Sequence, residues 1–165
     1  MAKRFRQADE GFDWVFEAKG KDEQIARLKE WASGNQTVVP MVRIGVGAEK
    51  VDFGLPSGMP ETVKLDKDIP QGMGQTTLMV EWRRVKTFLE PEGNLRNLPV
   101  WKQEMNWVQI LEGLHWKEAQ LLTHVKDGTL LKMYPKLEKL LKDLGIEEYN
   151  KPVKKTRKKK ATAKT

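Results

Sequence analysis

Eight cations crowd the last fifteen residues of the chain, KPVKKTRKKKATAKT: Lys151, Lys154, Lys155, Arg157, Lys158, Lys159, Lys160 and Lys164, with no acidic residue among them. Ammonium and guanidinium groups at this density neutralise phosphates and release their counterions. The chemistry they offer is attraction to a polyanion, DNA or RNA. Engaging all eight on duplex DNA would give a salt slope of about −7, and partial engagement a slope of roughly −3 to −5. Lys and Arg on such a stretch position a backbone but read no bases, so the binding would be independent of sequence. A solubilising role, or docking on an acidic protein, would use the same charges and stays open beside it.

A second basic cluster, EWRRVKTF, carries Arg83, Arg84 and Lys86 beside Trp82. Aromatic and basic residues interleaved in this way can build a stacking platform for a single strand. Trp82, however, keeps helical phase with Leu78, Val85 and Leu89, which predicts a core residue with the cations on a solvated face. Trp31, Trp101, Trp107 and Trp116 also sit at helical apolar spacing and are expected in the core. Trp101 and Trp107 lie six residues apart, so their directions differ by about 120° and one narrow stripe cannot take both. One of the two is therefore available for a partner interface, where Trp is enriched.

The remaining motifs carry little chemistry. Glu112-x-x-His115 has the spacing used in di-iron bundles, but those sites need two such motifs and two more glutamates. Gly113 also interrupts the helix here, and His115 is expected to begin the following helix near Glu118. Gly45-x-Gly47 with Lys50 lacks the third glycine of a dinucleotide fingerprint and the Gly-Lys-Ser/Thr of a P-loop. Ser33 and Ser57 stand in no nucleophile context. With no cysteine in the chain, thiolate metal sites and Cys nucleophiles are excluded. No enzyme, metal or cofactor is expected.

The elements that must position these residues belong to one domain with appendages, large enough for a real core. The chain has 30 basic and 23 acidic residues in 165, a net charge of +7. Setting aside the eight tail cations leaves 22 against 23, so residues 1–150 carry about −1. A folded surface devoted to phosphates would show its own excess of charge. No apolar run is long enough to span a membrane, and the basic N-terminus lacks the apolar stretch of a secretory signal.

The predicted fold is mainly α, with four or five antiparallel helices. Residues 1–20 form a docking segment around Phe12, Trp14, Val15 and Phe16, and residues 21–150 form the helical domain. A helix in KDEQIARLKEWASG starts at Asp22 as N-cap, buries Ile25, Leu28 and Trp31, and stops at Gly34. Residues 36–75 hold six of the 13 glycines and four of the eight prolines. They read as an extended strap, with short strands or a hairpin in the β-branched runs TVVPMVRIGVG and KVDFGLP. A helix through Leu78 to Leu89 ends before Pro91. The next starts at Pro99 and buries Trp101, Met105, Val108 and Leu111. Another places Ala119, Leu122 and Val125 on one side and ends at Gly128. The last runs from Pro135 with Leu137, Leu140, Leu141 and Leu144 inward, and Gly145 lies beyond it. Residues 151–165 have no apolar period, and their like charges repel, so this tail is expected to be disordered.

VDFGLPSGMPE, the EWRRVKTFLEPEGNL helix and WVQILEGLHWKEAQLLTHVKDGTLLKMYPKLEKLL resemble a family of small proteins from T4-like tailed phages, notably cyanophages. The shared features are a turn at Leu55, Pro56, Gly58 and Pro60 and a block from Leu111 to Leu130, with the likeness covering about residues 20–142. The family commonly has proline where this chain has Trp116. The resemblance implies a phage origin and a mostly helical fold, and it carries no known activity. Taken together, the expectation is a non-enzymatic phage accessory protein in the host cytoplasm. Its near-neutral body would bind a phage or host protein, and its tail would tether it to nucleic acid. The alternative is a minor virion-associated or assembly component.

Overall fold

The computed structural model describes residues 4–90 and 93–151. Pro91, expected just past a helix end, lies outside the described residues. So does the tail from Pro152 onward, with Lys154, Lys155, Arg157, Lys158, Lys159, Lys160 and Lys164. Seven α-helices follow one another: α1 (Ala8–Glu17), α2 (Lys21–Ser33), α3 (Val38–Gly45), α4 (Leu78–Thr87), α5 (Val100–Gly113), α6 (Trp116–Asp127) and α7 (Leu130–Met133). Tight 3-10 turns occupy Asn94–Asn97, Pro135–Leu140 and Lys142–Leu144. The described residues contain no strand. No helix among them is long and apolar enough to cross a membrane.

Helix α6 is the hub and packs against α1, α3, α5 and α7. Its Ala119, Leu121, Leu122 and Val125 are all buried, so more than one of its sides faces the core. His115 caps its start, its Nδ1 accepting from the Lys117 N–H at 3.1 Å. Gly128 ends it in the left-handed region at φ 70°, where a side chain would be strained. Helices α1 and α2 meet where Gly11 lies flat on the Trp31 indole, a spot that a Cβ would overfill. Phe12 sits there between the edge of Trp31 at 5.1 Å and the stacked ring of Tyr134 at 4.4 Å.

Several expectations need correction. The β-branched run TVVPMVRIGVG is not a strand but α3. Val38, Met41, Val42 and Gly45 fall at i, i+3, i+4 and i+7 and are buried. Pro40 lies in the first turn, where a missing N–H is tolerated. Gly45 is needed because Leu130 packs onto it, 2.8 Å from where a Cβ would stand. Helix α2 starts after Gly20, which has φ 98°, so Asp22 lies inside the first turn and is not the cap. There it complements the helix dipole. The Leu-rich last segment is wound as 3-10 turns, with Leu137, Leu140 and Leu141 buried. Its threefold repeat aligns Leu137 with Leu140.

Helix α5 carries the correction that matters most. Its core face is Gln103, Trp107, Ile110 and Leu111. Trp101 and Met105, expected inside, are 57% and 52% exposed. Positions 101, 105 and 108 do share a helical stripe, but it points away from the core.

Candidate functional site

That second stripe of α5 forms one wall of a groove of about 640 Å³. Residues 101, 104, 105, 108 and 112 recur at intervals of three and four, which stacks them along one helix side. The facing wall is the strap, from Leu55 through Pro56, Ser57 and Gly58 to Thr62. Residues 46–77 have no helix or strand, so this wall needs other anchors. The Gly58 N–H donates to Asp127 Oδ2 at 2.8 Å, and the Lys126 ammonium donates to the Pro56 carbonyl at 2.6 Å. Farther along, the Lys64 N–H donates to Glu112 Oε2 at 2.9 Å. Gly58 holds φ 81°, which the tight turn between the prolines demands.

The groove is apolar at its base and acidic at its rim. Trp101, Met105 and Val108 line α5, and the adjoining Val100 is 62% exposed. Glu61, Glu104 and Glu112 also line it, and none of them is in an ion pair among the described residues. Lys126, the lining cation, is held 2.6 Å from Asp127 Oδ1. Lys102 leans over the Trp101 ring at 5.5 Å from its centroid. Trp107 contributes to the wall, wedged edge-on to Phe53 and Phe88. Its Nε1–H is the one buried side-chain polar group without a partner among the described residues.

A second polar centre lies at the junction of α1, α4 and α6, and there everything is paired. Glu118 is fully buried and accepts from the first N–H groups of two helices, Ala8 at 2.7 Å and Leu78 at 3.0 Å. One carboxylate thus satisfies orphan donors at two positive helix ends. Burial raises its pKa to about 7, against the pull of those two hydrogen bonds, with Asp9 and Glu10 adding to the rise. Around it, Gln7 donates to Asp9 and accepts from the Gly72 N–H, and Gln71 donates to Asp9 and Asp13. Burial, helped by Asp13, Asp9 and Glu118, also pushes the Tyr134 hydroxyl well above its ordinary value. These bonds tie the far end of the strap to α1.

The residues singled out by sequence are scattered. Arg83, Arg84 and Lys86 are exposed on α4 while Trp82 is buried, so the basic face and the aromatic ring point apart. Arg84 pairs with Glu81 at 3.0 Å. Lys151 is exposed. His115 has both ring nitrogens engaged, Nε2 donating to the Ile69 carbonyl at 2.8 Å, and Glu112 points to the groove. No cluster of three metal-ligating side chains exists among the described residues. Gly47, at φ 83°, lies under the Asn150 side chain, and Lys50 approaches that same amide at 3.5 Å.

Sequence reasoning missed the acidic rim and Glu118. The rim was visible as Glu104 and Glu112 in phase with Trp101 and Met105. Glu118 had no comparable signal, since its two donors lie 110 and 40 residues away.

A family model matches residues 12–132. The chain belongs to DUF6433, a family of unknown function. The DUF6433 match spans every groove residue and stops short of the lysine-rich terminus. No curated protein and no solved structure matches the chain.

Proposed function

We propose that this chain is a non-enzymatic accessory protein, in the tailed-phage setting that the sequence resemblance implies. Its folded body docks a protein partner in the groove between α5 and the strap, and its lysine-rich terminus attracts a nucleic-acid backbone. The observation that carries the reading is the second apolar stripe of α5. A single-faced surface helix would leave polar residues there; this one exposes Val100, Trp101 and Met105 together. Covering such side chains is worth about 1.5–3 kcal/mol each when burial is complete. Partner interfaces favour Trp and Met at their centres.

The charge distribution supports the second half. The body is near neutral, so attraction to phosphates would reside in residues 151–165. Such a division raises the local concentration of the body near nucleic acid without any base readout. Gel shifts over a salt series test it, using the full chain and a variant with all eight tail cations replaced by glutamine. The full chain should bind with a slope of roughly −3 to −5, and the variant should lose binding at moderate salt. Equal binding by both proteins across the series would refute the tethering role.

A further inference from the structure

Resting on the reading that the groove docks a partner, we infer that its occupant is a peptide segment bearing lysine or arginine side chains among apolar ones. Three features select this chemistry. First, Glu61, Glu104 and Glu112 line the groove without a cationic partner, while its one lining cation, Lys126, is spent on Asp127 and the Pro56 carbonyl. An acidic occupant would meet three like charges, whereas a basic one would be steered in. Second, the exposed Trp101 ring offers a face to a cation. Lys102 already approaches it at 5.5 Å, so the ring accepts positive charge in its present setting. Third, Met105 and Val108 continue the wall as apolar surface, which a bare polyamine would leave uncovered. A peptide alone supplies the cations and the apolar side chains together.

Trp101 is 57% exposed, and Glu112 takes part in one hydrogen bond, from the Lys64 N–H, so substitutions at Trp101, Glu104 and Glu112 can be made without dismantling the fold. The test is fluorescence anisotropy with the full chain and two labelled decapeptides, one alternating lysine and valine, the other alternating serine and valine. The lysine peptide should bind about tenfold more tightly, the sum expected of three partly exposed ion pairs. Combining Glu104→Gln with Glu112→Gln should cut that preference about threefold to fivefold. Trp101→Ala should weaken both peptides at least fivefold, with far-UV circular dichroism unchanged.

Equal affinity for the two peptides in the wild-type protein would overturn the cationic assignment while leaving the groove as a docking site. If neither peptide responds to Trp101→Ala, the groove is not the site and the proposed function fails with it. Displacement of the lysine peptide by equimolar spermine would overturn the peptide assignment, because small cations would then suffice.

Discussion

Two acidic regions of this molecule put their carboxylates to opposite uses. At the junction of α1, α4 and α6, Glu118 lies in the interior with a backbone N–H on each oxygen, and Asp9 and Gln7 complete the pairing. Along the groove, Glu61 and Glu104 have no hydrogen-bond or ion-pair partner among the described residues and stand beside an exposed indole and thioether. Charge that the fold consumes holds helices together, and removing it leaves buried groups unpaired. Charge that the fold leaves over stabilises nothing internally and is free for a ligand. The same residue type thus marks architecture in one place and recognition in the other.

The sharpest way to break this contrast is Glu118→Ala. It orphans two helix-terminal N–H groups and opens a void, so a loss of about 3 kcal/mol or more is expected in urea unfolding. A loss below about 1 kcal/mol would mean that the junction is not an anchor.

The next effect is in pH. The folded pKa of Glu118, about 7, lies above its ordinary 4.5, so the native state holds a proton that the unfolded chain releases. The stability this provides is complete below pH 4.5 and is lost as pH rises through about 7, a fall of up to about 3 kcal/mol. His124 works in the opposite direction. Burial lowers its pKa from 6.5, so stability from this group is lost as pH falls through that lowered value. Denaturation midpoints from pH 4.5 to 8 for wild type and Glu118→Gln separate the two, since only the carboxylate's slope should vanish.

A smaller effect is expected at Gly128. Its φ of 70° and the nearby Asn150 amide, 2.9 Å from a Cβ position, make Gly128→Ala unfavourable by about 1 kcal/mol. The smallest is Trp101→Ala, which should move stability by no more than about 0.5 kcal/mol, because the ring supports no core contact. Calorimetry on these two variants sharpens the contrast from its weak end.

Much of the helical frame was legible in the sequence. In α2 and α4, one apolar stripe at period 3.6 faces the core, α6 buries the expected Ala119, Leu122 and Val125 side and more besides, and Gly34 and Gly128 mark two of the ends. Reading failed where a segment served two masters. Helix α5 has apolar residues on two sides, and periodicity does not say which stripe meets the core. The 120° divergence of Trp101 and Trp107 did show that one ring must lie elsewhere. The β-branched run became α3 because burial against α6 outweighed strand preference, with Pro40 harmless in the first turn. The Glu118 junction rests on contacts spanning 40 to 110 residues, beyond any local pattern.

The most direct measurement is the emission of Trp101 itself, taken as the difference between wild type and Trp101→Phe while the lysine–valine decapeptide is titrated. An indole that passes from solvent into a covered groove should shift to the blue, saturating together with the anisotropy signal. Binding of the peptide with no change in this difference spectrum would place it elsewhere on the molecule and contradict the account.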